Sequence, residues 1–288
     1  LSITKNFKLN PYKIEGPAVI SFSGGRTSGY MLFKILDAHN GVLPDDVFVA
    51  FANTGKEAHE TLDFVKEVSD KWDVHINWLE HYFADERPIH RTKEVTYETA
   101  SRNGEPFARL LDYRKKLPNA VNRFCSSELK IKVLYRFMNS KGYKTWDNVL
   151  GLRYDEPQRA VSARNVNYQK WLNLVPLYDA KVTKEDIYKF WNKKNFDLKL
   201  TNFNGKTPAG NCDLCFLKGK KTLTSLLKEK PEMADWWIEQ ERKFDTPKHK
   251  EHKTNQFIKN ISYIDLVDLS KQNVDLFDDQ QMTCFCHD

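Results

Sequence analysis

The stretch Ser21-Phe22-Ser23-Gly24-Gly25-Arg26-Thr27-Ser28 sets two adjacent glycines among four hydroxyls, directly after the apolar run Ala18-Val19-Ile20. Glycines let backbone amides approach an anion closely, successive N–H groups form a nest, and a following helix adds the positive end of its dipole. Ser21, Ser23, Thr27 and Ser28 supply further donors. The same residues suit a plain tight turn between strand and helix. The segment also lacks the Gly-Lys-Ser/Thr end of a P-loop and the third glycine of a dinucleotide fingerprint. Taken alone, it reads as a phosphate cradle or a structural kink in equal measure.

Thiols form the second constellation. Cys212-Asp213-Leu214-Cys215 holds two sulfurs at a spacing suited to one metal, zinc or iron–sulfur. Cys125 is distant in sequence and either joins them in space or packs as a buried thiol. Cys284 and Cys286, beside His287, sit in a tail with little apolar content, where redox reactivity or metal ligation accounts for them better than packing. The third constellation is basic: Arg26, Lys130, Lys132, Arg153, Arg159 and Arg164 fall in or beside loops and helix starts. The group in "GLRYDEPQRAVSAR" suits forked recognition of sulfate or phosphate oxygens. His59, His75, His81 and His90 lack metal-ligand spacing, and the tryptophans read as core.

The elements that must position these groups follow from periodicity. Val19 to Phe22 reads as a buried strand, and 28–38 as a helix with Tyr30, Met31, Phe33, Ile35 and Leu36 at helical spacings. "DDVFVAFAN" and "VHINWLEHYF" read as further strands around a helix marked by Leu62, Val65 and Val68. "SSELKIKVLYRFMNSKG" reads as a helix ending at Gly142, followed by a fourth strand in "DNVLG", a fifth in "NLVPL" and a helix from near Thr183. The fold class expected is α/β, a parallel twisted sheet of about five strands with helices on both faces, plus a smaller C-terminal helical part and tail. The division expected is an N-terminal extension at 1–16, a nucleotide-binding α/β domain at 17–200 and a cysteine-bearing helical segment at 201–288. Irregular, charged 84–123 reads as an insertion or lid, or as a plain surface loop.

With 40% apolar and 29% charged residues, the 288-residue chain is a folded protein and not a disordered one. Its apolar runs are too short for a bilayer span and its first residues lack the features of a secretory signal, so no membrane contact and a cytoplasmic location are expected. Five cysteines, an odd number, point to metal or redox use in preference to a disulfide framework. The net charge of +6 is modest and spread out, a solvated surface first and a nucleic-acid patch second, with "NKKNFDLKLTNFNGK" as a local anion-binding candidate.

The order of motifs resembles the phosphoadenosine phosphosulfate (PAPS) reductase family, within the wider adenine nucleotide alpha hydrolase group that includes the PP-loop ATP pyrophosphatases. "SFSGGRTS" resembles that family's phosphate loop and "FANTGKEAHET" its Asp-Thr-Gly segment. "CSSELKIKVL" is similar to its Cys-Cys helix start with Lys130 in register, "GLRYDEPQRA" to its Gly-Ile-Arg-Arg segment, "GNCDLCFLK" to its second cysteine pair, and "TCFCHD" to its Glu-Cys-Gly-Leu-His tail. The resemblance implies an adenine nucleotide (PAPS, APS or ATP) held by Ser21, Ser23, Gly24, Gly25, Arg26, Thr27, Ser28, Asn53, Thr54, Gly55, Lys130, Gly151, Arg153 and Arg159. It implies catalysis by Cys284, His287 and Arg153, with thioredoxin or glutaredoxin as reductant, and a homodimer is compatible with it. Cys125, Cys212 and Cys215 become ligands of a 4Fe-4S cluster, with zinc as the lesser occupant. Ser126 replaces the second cysteine of the helix-start pair, so a fourth ligand comes from Cys284, Cys286 or a non-protein group, or the site holds zinc or is empty. Thr27 stands where ATP-splitting relatives usually carry aspartate, and Asn53 stands at another common aspartate. The function expected is reduction of an adenylyl sulfate to sulfite through a cysteine thiosulfonate. The alternatives are an ATP-dependent sulfur transferase acting on tRNA or DNA, the reading that brings in nucleic acid, and a non-catalytic nucleotide sensor.

Overall fold

The computed structural model describes residues 10–84, 89–165, 170–202, 207–251 and 255–272. Strand β1 (Ala18–Ser21) runs into α1 (Arg26–Ala38), β2 (Val47–Asn53) into α2 (His59–Lys71), and β3 (Ile76–Phe83) turns back into β4 (His90–Val95). Then come α3 (Glu105–Arg114), the short α4 (Phe124–Ser126), a π-helical stretch at Ser127–Ile131, and α5 (Lys132–Ser140). β5 (Trp146–Val149), α6 (Pro157–Asn165), β6 (Trp171–Leu174), α7 (Pro176–Asp179) and α8 (Lys184–Trp191) complete the α/β part. The C-terminal part holds α9 (Lys220–Glu229), α10 (Asp235–Lys243), α11 (Pro247–Glu251) and α12 (Tyr263–Lys271). No helix among the described residues is long and apolar enough to cross a membrane.

Among the described residues the sheet has six strands in the order β4-β3-β2-β1-β5-β6. Five are mutually parallel, as expected, and β4 pairs antiparallel with β3. Alternation decides the two faces. Ala18 and Ile20 of β1 join Met31, Leu32, Phe64, Val65 and Trp191 on one side, while Val19 joins Ala50, Leu79, Val133, Phe137 and Met138 on the other. Helices therefore cover both faces, and the strand order reverses beside β1, where ligands of open α/β sheets bind.

The segment 84–123, expected as an insertion or lid, contributes an edge strand and a helix. α3 carries Phe107, Leu110 and Leu111 into a second core with Phe124 and Leu129. That core is completed by Leu214, Leu223, Leu227, Trp237, Phe257 and Tyr263 of the C-terminal part. The helix expected over 126–142 begins at Phe124 and widens into a π turn, an insertion common where a helix passes a functional site.

Candidate functional site

The end of β1 and the start of α1 form a tight cradle. Gly24 takes φ +77°, and a Cβ there would lie 2.7 Å from Thr61 Cγ2, so no side chain fits between this turn and α2. Gly25 sits at the N-terminus of α1 without a side-chain cap, leaving the first-turn N–H groups to another acceptor. Ser28 Oγ donates to the Gly25 carbonyl at 3.0 Å, receives the Ser23 N–H at 3.3 Å, and lies 3.0 Å from Ser23 Oγ. Ser21 Oγ donates to Asn148 Oδ1 at 2.9 Å and so ties the end of β1 to β5.

Arg26 does not point its charge into this cradle. Its guanidinium is buried, forks onto Asp197 with Nε–Oδ1 at 2.8 Å and Nη2–Oδ2 at 2.8 Å, and donates to Thr207 Oγ1 at 2.9 Å. It latches the 197–200 segment onto α1. The cation that does reach the loop is Arg153, whose Nη1 donates to Thr27 Oγ1 at 3.1 Å. Arg153 also pairs with Asp155 at 3.0 Å and Glu156 at 3.3 Å, and the other oxygen of Glu156 holds Arg159. Gly151 is buried just ahead of this group. Two arginines thus share one carboxylate at the edge of the cradle.

The end of β2 provides the opposite wall. Asn53 is fully buried, and its Nδ2 donates to Glu80 Oε1 at 2.7 Å and to the Ser101 carbonyl at 2.8 Å. Glu80, its register partner on β3, also accepts the Ser101 N–H at 2.6 Å and pairs with Lys93 at 3.2 Å. An aspartate at 53 would meet this carboxylate at hydrogen-bond distance, which is why the amide stands there. Thr54 Oγ1 donates to Glu57 at 2.9 Å, and Lys130, delivered by the π turn, lies 3.9 Å from the same carboxylate. Gly55 (φ +78°) accepts the Gly104 N–H at 2.8 Å, and a Cβ there would lie 3.1 Å from the Gly104 backbone.

Glu57 also forms a backbone bridge with Cys212, and Thr54 Oγ1 lies 3.6 Å from its sulfur. Burial, then the Glu57 carboxylate, pushes the Cys212 thiol well above its ordinary pKa. Cys215 follows in the same turn, its N–H donating to the Cys212 carbonyl at 3.3 Å, and Cys125 packs against the same core. Among the described residues, however, no group of three or more His, Cys, Asp or Glu side chains converges for a metal ion. All three thiols pack against the second core. Cys284, Cys286 and His287 lie outside the described residues.

Sequence reading passed over Glu57, Glu80, Asn148 and Glu156. The signal for Glu80 was present, since a carboxylate inside the apolar strand "INWLEHYF" requires a partner. Glu156 carried none beyond its place among arginines.

A family model described as the phosphoadenosine phosphosulfate reductase domain matches residues 17–201. An uncharacterized nin region protein of Escherichia phage lambda is 30% identical over 217 residues, 71% of this chain and 67% of that protein. An uncharacterized protein of Methanocaldococcus jannaschii is 27% identical over 236 residues, 80% of this chain but 43% of the relative, so the chain spans less than half of that protein. Among solved structures, the PAPS reductase from Candida auris in its phosphate complex has a TM-score of 0.40 at 14% identity, covering 65% of this chain and 80% of that one. The U34-tRNA thiolase NcsA from Methanococcus maripaludis with its 4Fe-4S cluster has a TM-score of 0.42 at 12% identity, covering 93% and 79%.

Proposed function

The chain belongs to the phosphoadenosine phosphosulfate reductase domain family, and from that premise we propose that it binds an adenylyl sulfate and reduces its sulfonyl group to sulfite. The observation that carries the reading is the hydrogen bond from Arg153 to Thr27 at 3.1 Å, which joins two motifs far apart in the chain at the start of α1. In this reading the uncapped N–H groups of α1 and the Ser23 and Ser28 hydroxyls hold the nucleotide phosphate. Arg153 and Arg159, exchanging Glu156 for ligand oxygens, take the sulfonyl group. Asn53, Thr54, Gly55 and Lys130 shape the wall along the end of β2.

The covalent step falls to Cys284. Its thiolate attacks the sulfonyl sulfur, an S–S bond forms, the S–O bond to the nucleotide phosphate breaks, and the nucleotide leaves with the bonding pair. A thiol of thioredoxin or glutaredoxin then attacks Cys284 Sγ, releasing sulfite and forming a mixed disulfide, and the second reductant thiol attacks that bond, closing the reductant's disulfide and expelling the Cys284 thiolate. Two electrons pass from the dithiol to sulfur, and His287 is assigned to the proton inventory at the tail. No step runs through a metal.

The test is sulfite release from PAPS and from APS with thioredoxin under anaerobic conditions, expected in the parent chain and abolished in Cys284→Ser. Absence of sulfite, together with AMP or pyrophosphate formation dependent on added tRNA or DNA, overturns the reductase in favour of a sulfur transferase. Nucleotide binding with neither product leaves the sensor.

A further inference from the structure

Tyr154-Asp155-Glu156-Pro157 carries the chain from the loop after β5 into α6, and the proline at the first helical position fixes where that helix begins. Glu156 stands one residue ahead, at the N-cap position, and its carbonyl accepts the N–H groups of Arg159 and Ala160, both at 3.1 Å. The helix therefore holds its backbone, while its side chain turns to two arginines. One carboxylate oxygen takes Nη1 of Arg159, and the other takes Arg153 Nη2 at 3.3 Å and the Arg153 N–H at 3.2 Å. All three side chains are largely buried.

The second acid on Arg153 behaves differently. Asp155 meets Nε at 3.0 Å but is exposed, so water screens the pair and replaces it at little cost. Two cations thus face two anions, and the group has no charge in surplus. An anion arriving beside Thr27 meets guanidinium forks that are already filled, and it binds both arginines only by taking over from the carboxylate they share. That exchange needs no backbone movement. A side chain at the N-cap position is within reach of the first-turn N–H groups of its helix, and the positive end of the helix dipole favours a carboxylate there. The start of α6 therefore offers Glu156 a second seat.

We infer that Glu156 determines the specificity of this site: it is a resident carboxylate that holds the ligand's place and yields to an oxyanion able to occupy both arginines at once. The inference rests on the reading of the cradle as the ligand site and adds to it a rule of selection. A sulfonyl, sulfate or phosphoryl group presents several oxygens and replaces both contacts together. A halide satisfies one arginine, leaves the other largely buried without its anion, and fails to displace the carboxylate. Glu156 weakens binding of the right ligand and weakens binding of the wrong one more, which is selection by competition.

The experiment titrates the full chain calorimetrically with inorganic sulfate, chloride and adenosine 5′-phosphate, comparing the parent with Glu156→Gln and Asp155→Asn. Glu156→Gln is expected to bind sulfate about tenfold more tightly and to lose the parent's discrimination against chloride, while its urea midpoint falls with the lost ion pairs. A carboxylate that only braces the arginines would lower affinity and midpoint together. The gain should vanish when Arg159→Gln is added, and Asp155→Asn should change sulfate affinity by less than about twofold. Equal or weaker sulfate binding in Glu156→Gln, a gain that survives Arg159→Gln, or the same gain in Asp155→Asn overturns the inference. If Glu156→Gln does not fold, carbon-13 spectra of the parent decide: the Glu156 carboxylate resonance is expected to move as sulfate saturates, and an unmoved resonance overturns the inference. The two readings fail separately. The expected sulfate responses without binding of adenosine 5′-phosphate refute the nucleotide alone, whereas nucleotide binding without the sulfate gain refutes the role of Glu156 alone. A parent and variant that bind neither refute both.

Discussion

Asn53 shows how a single side chain responds to its surroundings. Two carboxylates 2.7 Å apart in a dry interior cannot both ionise, so beside Glu80 an aspartate would share one proton with its neighbour or repel it. Asn53→Asp is expected to lower stability at neutral pH by on the order of 2–4 kcal/mol. The deficit should shrink as the pH falls and the pair takes up its shared proton, a trend that urea unfolding at several pH values reads directly. Arg26 teaches the complementary lesson. Its residue type and place in the loop pointed to an anion, yet Asp197, remote in sequence, holds the guanidinium. Residue type announces the chemistry available, whereas the partner that claims it is set by the fold.

At the level of elements, β1, its glycine turn and α1 were legible because strand period, punctuation and helical period agree over one continuous stretch. β4 was not, since His90–Val95 is a charged, half-exposed edge strand whose pattern reads as loop. The π turn was equally hidden: its extra residue leaves the composition of a helix unchanged while moving Lys130 toward Glu57. The two glycines of the cradle separate folding from binding. Gly24→Ala forces a Cβ into Thr61 at φ +77° and should cost about 2–4 kcal/mol. At Gly25 the nearest neighbour of a Cβ is Ser23 Oγ at 3.7 Å, so Gly25→Ala should alter stability by less than about 1 kcal/mol. The added methyl crowds the amides proposed to hold phosphate, so nucleotide affinity should fall. Chemical denaturation and nucleotide titration of the two variants resolve the contrast.

Over the whole molecule, two buried titrating groups pull stability in opposite directions. Burial raises Glu241 to about 7, so the folded state holds a proton that the unfolded chain gives up, and stability falls as pH rises from about 4.5 to 7. Burial lowers His81 to about 4, so the unfolded chain binds the extra proton and stability rises with pH between about 4 and 6.5. Each contributes on the order of 3 kcal/mol across its window, and the two offset where the windows overlap. Glu241→Gln should therefore expose a stability profile that climbs more steeply from pH 4 to 6.5 than that of the parent, as measured by urea midpoints; an unchanged slope would refute the offset. The cysteine constellation was the least legible at this scale, because convergence of three sulfurs is a property of loops whose course no periodicity encodes.

The second core has a consequence for how the chain can be divided. Phe107, Leu110 and Leu111 of α3 lie inside the segment matched by the family model, and the residues that cover them, Leu214 through Leu266, lie beyond its end. Lys56, just past the end of β2, reaches across to Asp213 at 2.9 Å and lies over the Trp236 ring. A boundary at residue 201 therefore cuts through packed side chains and a buried ion pair, not through a linker. The recognisable family unit and the smallest severable unit of this protein are different lengths of chain.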